Sequence, residues 1–263
     1  MKKLSLAIAL ALVALLFASC KKENKIEQQI IGKWITTDVD GKAAMTNEKR
    51  VLTFLSATEA LFSTSRVDFN AELERWSPCL EYSVVIDGNK VTITGQPNEH
   101  ITLINEMNIH SITATEMYMS FKHFTLRDGE VISTKGPMEM RWVKITTDYK
   151  QAILGKWQGH VTSAMGSAYD DGEDHQWEYL DDGTFRYYLQ DEEGNWVTNP
   201  DQTLSEYFVD GTLLCTRWVI DGTEYREWWE IASIANGVMK WTALRQNEDD
   251  TTYTATFQME KVE

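Results

Sequence analysis

The chain is short of cysteine. Only three occur in 263 residues, and Cys20 directly follows the N-terminal apolar run, so a dense disulfide framework is excluded. Cys79 and Cys215 stand at unrelated places. They are open to two readings, a disulfide in an oxidising compartment or two separate buried thiols. The five histidines, His100, His110, His123, His160 and His175, form no His-x-x-x-His pair, and no Cys-x-x-Cys accompanies them, so no zinc motif is written here. Neither a Gly-x-Ser-x-Gly elbow nor a Walker loop is present. Asp170-Asp171-Gly172-Glu173-Asp174-His175 is the single run that resembles a metal loop. It lacks EF-hand spacing and the distal Glu, and reads as a solvated hairpin loop. Many carboxylates lie on expected strands, yet no two stand out as a glycosidase pair. Basic residues are also scarce: 25 Lys and Arg against 40 Asp and Glu leave a net charge of −15. Such a surface repels nucleic-acid phosphates and anionic lipid and excludes both as electrostatic partners. We therefore expect a non-enzymatic protein without metal or cofactor.

Long apolar runs are missing as well, except at the N-terminus. Lys2-Lys3 precede an apolar stretch, Leu4 to Phe17, that ends in Ala18-Ser19-Cys20. This pattern resembles a bacterial lipoprotein signal peptide over residues 1–19, cleaved before a lipidated Cys20, although Phe17 replaces the usual Leu. Ordinary secretion with cleavage near Ala18, or an uncleaved anchor, are the alternatives. Residues 20–25 would then be a lipidated tether that holds the protein to a membrane through its acyl chains. Lys21 after the Cys favours the outer membrane. In lipoproteins of Bacteroides-like bacteria, acidic residues just after the Cys favour surface export, and only Glu23 fits, so both the periplasmic and the surface-facing leaflet stay open.

What the chain does have is a repeat. Ile31-Gly32-Lys33-Trp34 returns as Leu154-Gly155-Lys156-Trp157, almost half the chain later. Apolar residues precede each copy at helical spacing, Ile26, Ile30 and Ile31 in one and Tyr149, Ile153 and Leu154 in the other. The copies also end alike, Met140 to Ile145 beside Gln258 to Val262. A unit repeated at domain length means two folded bodies, residues 26–147 and 148–263, and not a solenoid. A short helical turn, then Gly-x-Trp opening the first of many strands, resembles the lipocalin-like domains of the calycin group. The resemblance implies that Trp34 and Trp157 close the narrow barrel ends under a basic residue of the last strand, Arg141 or Lys144 in the first copy and Lys261 in the second. A cation over an indole contributes about 1 kcal/mol. The resemblance carries no catalytic residues.

The strand signals agree with such barrels. Val51–Leu55 with Ala60–Ser63, and Glu81–Ile86 with Lys90–Thr94, read as hairpins. Ile101–Leu103, His110–Thr113, Glu116–Phe124 and Met138–Ile145 continue the first copy, with Val67–Leu80 as an irregular acidic loop. In the second, Trp177–Leu180 pairs with Thr184–Leu189, and strands at Glu206–Val209, Thr212–Ile220, Glu224–Ile231, Val238–Leu244 and Thr252–Lys261 follow. Asp-Gly and Asn-Gly steps supply the turns. The fold class is all-β: two tandem small up-and-down antiparallel β-barrels, each preceded by a short helical turn.

The second copy carries most of the tryptophan. Alternation puts Trp177 with Tyr179, and Phe185 with Tyr187, on shared faces. These four, with Trp218, Trp228 and Trp229, are candidate ligand-binding residues for a small apolar or amphipathic molecule. The plain alternative is a barrel filling its own interior. Trp228 and Trp229 face opposite ways, so one points outward and marks an interface. Two other roles remain open: a glycan-binding accessory lipoprotein using an exposed Trp, and a structural partner in an envelope complex.

Overall fold

In the computed structural model the described residues are 25–64, 80–164, 167–168, 174–247 and 249–262. Cys20 and the N-terminal apolar run lie outside them, as do Cys79, most of the Val67–Leu80 loop and most of the Asp170–His175 loop.

One helical turn, α1 (Lys25–Gln29), opens the first body. Its sheet runs through β1 (Gly32–Val39), β2 (Lys42–Ala43), β3 (Arg50–Phe54), β4 (Glu59–Thr64), β5 (Leu80–Asp87), β6 (Lys90–Asn98), β7 (Ile101–Ile112), β8 (Glu116–Arg127) and β9 (Glu130–Ile145). Every neighbour is antiparallel and sequential apart from the short β2, and β9 returns to β1 along a ladder from Lys33–Ile145 to Val39–Met140. The result is a closed eight-stranded barrel. Period-two alternation fills it: Leu52, Phe54, Val91, Ile93, Met107, Met117, Met119 and Trp142 all point inward and are buried. Ile101–Leu103 and His110–Thr113 are not two strands. They are the ends of one strand, β7, because Asn105, Glu106 and Asn108 sit in the ladder between them without a turn.

The second body repeats the order with β10 (Gly155–Ala164), β11 (Ser167–Ala168), β12 (His175–Tyr179), β13 (Phe185–Gln190), β14 (Trp196–Thr198), β15 (Gln202–Asp210), β16 (Leu213–Ile220), β17 (Thr223–Ala235), β18 (Val238–Gln246) and β19 (Thr252–Val262). Before β10, the segment forms a turn closed by Ile153 N–H to Tyr149 C=O, 3.0 Å, where the first copy forms a helix with the matching bond Ile30 to Ile26, 2.9 Å. The sheet order is β14-β13-β12-β10-β19-β18-β17-β16-β15, a half-barrel whose edges meet at one bridge, Thr184 with Glu206. The short strand β14 had no counterpart among the expected strands. It widens the sheet on the β13 side.

The turns follow local chemistry. Asp40-Gly41, Asp128-Gly129, Asp221-Gly222 and Asn236-Gly237 all have positive φ at both residues, the geometry of two-residue hairpins whose twist matches their strands.

A third apolar cluster lies between the bodies. Ile35, Val51, Leu213 and Cys215 are buried there, with Val143, Ile145, Phe208 and Trp228 packed around them. These are the outward faces of β1, β3, β9, β15, β16 and β17. Ion pairs rim the cluster: Lys33 Nζ reaches Asp210 at 2.9 Å and Asp148 at 3.6 Å, and Lys49 Nζ reaches Glu230 at 3.2 Å. Ser63 Oγ also donates to Asp210. Gly211 fits where a Cβ would stand 2.9 Å from Ile145 Cδ1. Burial drives the Cys215 thiol well above its ordinary range, which makes it a neutral packing group.

Candidate functional site

The frame of the site is the repeated tetrapeptide. Trp34 Nε1 donates to Ile30 C=O at 2.7 Å, and Trp157 Nε1 donates to Ile153 C=O at 2.6 Å, so each indole clasps the turn that precedes its own strand. Lys144 Nζ lies 5.0 Å from the Trp34 ring centre and Lys261 Nζ 5.3 Å from that of Trp157. Each Lys is the cross-strand neighbour of its Trp. Arg141 does not share this place. It stands on the outer face of β9 and stacks on Tyr118, 4.8 Å away, because its position differs in parity from that of the inward Met140 and Trp142. Gly32 (φ +123°) and Gly155 (φ +109°) complete the device: a Cβ at either would stand 2.6 Å from Lys144 Cε or 3.1 Å from Lys261 Cε.

On these identical frames the two copies hang different interiors. Leu52 and Phe54 sit opposite Trp34 and Gly32, while Trp177 and Tyr179 take the same registers opposite Trp157 and Gly155. The first barrel closes around methionines and aliphatic side chains together with Trp34, Phe54, Tyr82, Phe121 and Trp142. The half-barrel keeps a cavity of about 410 Å³, the size of a small-molecule site. Of the seven candidate ligand residues, Trp177, Tyr179, Phe185, Tyr187, Trp218 and Trp229 line it. Trp228 does not. It faces the other way on β17, into the cluster between the bodies. Trp229 is 3% exposed and offers no surface platform for a glycan, whereas Trp228 is half-buried.

The rings order one another. Trp177 packs on Trp241 at 5.3 Å, on Tyr187 at 5.2 Å and edge-on to Phe257 at 5.9 Å. His175 stacks on Trp177 at 5.3 Å, and its Nδ1 shares a 3.1 Å hydrogen bond with the Tyr187 hydroxyl. Tyr179 meets Tyr207 edge-to-face at 4.9 Å. Burial raises Tyr179 well above the ordinary tyrosine value, and burial with the nearby Asp182 and Asp181 carboxylates pushes Tyr207 up to about 12. Tyr179, which lines the cavity, is thus uncharged across the physiological range.

One charged pair interrupts the rings. Glu227 accepts from Arg245 Nη2 at 2.9 Å and from Trp229 Nε1 at 3.2 Å, and the Arg245 guanidinium lies 4.5 Å over the Trp229 ring. With Gln202 and Thr216 these form the polar part of the lining. The sequence candidates omitted this pair, and also Trp241, Tyr253 and Phe257. The signal was available: Glu227-x-Trp229 and Trp241-x-Ala243-x-Arg245 put each charge at period two from an inward tryptophan.

Among the described residues no group of three His, Cys, Asp or Glu is placed to hold a metal ion. No protein-family model matches the chain, and no curated protein matches it in sequence. Among solved structures, it is similar to a Bacteroides fragilis protein whose name places it at the outer membrane, with 11% identity over 90% of this chain and 99% of that one, TM-score 0.23. It is similar to transferrin binding protein B of Haemophilus parasuis, with 9% identity over 84% of this chain and 61% of that one, TM-score 0.23. A protein of the DUF3598 family from Nostoc punctiforme shows 12% identity over 92% of this chain and all of its own, TM-score 0.23. At these scores the likenesses carry no argument about function, and the fold stands on the chain's own strand order.

Proposed function

We propose that this is a lipid-anchored protein of the bacterial cell envelope, held to the outer membrane through Cys20, that binds a small apolar or amphipathic ligand and catalyses no reaction. The observation that carries the reading is the aromatic cavity of about 410 Å³ in the half-barrel. The cavity opens to solvent and presents apolar ring faces to whatever enters it, the make-up of a small-molecule site. The first body, built on the same frame, is packed with methionine and aliphatic side chains around rings such as Phe54, Phe121 and Trp142. The second spends bulky rings on walls and leaves the middle open. The N-terminal Lys-Lys, apolar run and Ala-Ser-Cys support the anchor, and the acidic surface favours uncharged ligands over polyanions.

Native mass spectrometry of a soluble form starting at Lys21, produced in a bacterial periplasm, tests the reading. Extra mass that leaves on denaturation and proves to be a small organic molecule is the expected result. A clean apo mass, with no uptake across panels of amphiphiles and aromatic compounds, refutes it.

A further inference from the structure

Two hollows meet at one ion pair. The aromatic cavity and a second hollow of about 310 Å³ share the side chains of Glu227, Arg245 and Tyr253. The first barrel walls the second hollow with Met45, Thr46 and Asn47, and the half-barrel adds Arg226, Trp228 and Gln246. The 3-10 turn Thr46–Glu48 is fixed there, for Thr46 Oγ1 accepts from Leu244 N–H at 2.7 Å and Lys49 pairs with Glu230 at 3.2 Å. A piece of the first barrel is therefore bonded to the residue just before Arg245.

The two hollows differ in chemistry. Inside the half-barrel, ring faces outnumber the aliphatic walls, which are Val161, Leu214, Ile220 and Ala255. A flexible acyl chain frozen between rigid rings loses rotamer freedom at every bond, whereas a planar conjugated ring stacks on those faces without that loss. Between the bodies the lining mixes the amide, hydroxyl, guanidinium and carboxylate groups of Thr46, Asn47, Arg226, Glu227, Arg245 and Gln246 with the apolar side chains Met45, Trp228 and Leu244. Charge is balanced where the hollows join, so an ionic head would have to compete with Glu227 for Arg245. A neutral head rich in hydroxyls finds donors and acceptors together. The side chains of Arg245 and Glu227 are 34% and 35% exposed, so solvent reaches the pair that both hollows share.

We infer that the two bodies form one bipartite site for a planar aromatic compound with a neutral, hydroxyl-rich head, the simplest example being an aryl glycoside. The ring lies in the half-barrel and the head lies between the bodies. This rests on the reading of the cavity as a binding site. It also gives the first barrel a direct part in recognition.

The test uses the full mature chain with calorimetry and tryptophan fluorescence. The probes are 4-methylumbelliferyl β-glucoside, its aglycone 4-methylumbelliferone, glucose and dodecyl β-glucoside. The glucoside is expected to bind about tenfold more tightly than the aglycone, with glucose alone unbound. Asn47 is exposed, so Asn47→Ala leaves the fold intact. It is expected to weaken the glucoside by about 2- to 10-fold, the loss of one hydrogen bond, and to leave the aglycone unchanged. Equal affinity of glucoside and aglycone, with Asn47→Ala silent, overturns the bipartite site and leaves the cavity a binder. Tighter binding of dodecyl β-glucoside overturns the ring preference. Failure of every probe to bind overturns both this inference and the binding role on which it rests.

Discussion

Replacing Gly32 by Ala tests the repeated anchor at its tightest point. At φ +123° an alanine sits in a region that residues with a Cβ avoid, at a cost of about 1–3 kcal/mol. Its Cβ would stand 2.6 Å from Lys144 Cε, so the lysine must leave. That forfeits the contact with Trp34, about 0.5–1 kcal/mol, and the 3.3 Å bond from Lys144 Nζ to Gln29 C=O. Alanine also restricts the unfolded chain, which offsets about 0.4–1 kcal/mol. The net expected loss is about 1–3 kcal/mol, read from urea unfolding followed by tryptophan fluorescence. The two parts separate in a cycle with Lys144→Ala. With the lysine trimmed, Gly32→Ala keeps only its backbone cost, so the double variant should be more stable than the sum of singles by about 0.5–1 kcal/mol. Gly155→Ala, where Lys261 Cε is 3.1 Å away, should show a smaller coupling. A loss below about 0.5 kcal/mol for Gly32→Ala, or additivity within about 0.3 kcal/mol, refutes the account.

Burial pulls the Lys33 ammonium down, but its hydrogen bond and attraction to Asp210, with Asp148 behind, more than offset that, and its pKa is raised. The linked stability is complete below the ordinary lysine value of about 10.4 and is lost as pH rises through the raised one. Unfolding curves at alkaline pH should therefore fall more steeply for the wild type than for Asp210→Asn. Equal slopes would remove Lys33 from the interface account. Leu213→Asp places a carboxylate in the buried cluster between the bodies and should split one unfolding transition into two by calorimetry. A single transition of unchanged shape counts against a cooperative interface. Ala255→Phe fills the half-barrel cavity from a position on its wall. It should abolish uptake of 4-methylumbelliferone without loss of stability, and undiminished binding places the site elsewhere.

The frame was legible because its causes are local. Gly32 and Gly155 are forced by backbone geometry, the Asp-Gly and Asn-Gly turns by φ, and inward residues such as Leu52, Phe54, Trp177 and Tyr179 by period two. The choice between Arg141 and Lys144 was less so, since it turns on which residue of β9 stands opposite Trp34. Trp34 meets Lys144 within an unbroken run of the ladder from Lys33 to Thr36, a pairing that no short motif announces. Ile101 to Ile112 misled for a related reason: polar residues at Asn105, Glu106 and Asn108 resemble a turn, but the neighbouring ladders β6 and β8 hold them extended. Trp228 beside Trp229 announced that one ring would face outward, yet nothing local says that the outward surface is covered by the first barrel. The Glu227–Arg245 pair joins residues 18 apart, and such meetings belong to the sheet as a whole.

The single bridge between Thr184 and Glu206 makes this seam of the half-barrel far weaker than the closing seam of the first barrel. Parting β9 from β1 would break a ladder that runs the length of the strand, an event close to unfolding the barrel. Parting β13 from β15 breaks that one bridge and the adjoining bond from Tyr207 N–H to Gly183 C=O. Phe185 and Tyr187 stand on one side of this seam and Gln202 on the other, and all three line the cavity. Opening the half-barrel at this seam is therefore a small local event, far less costly than opening the first barrel.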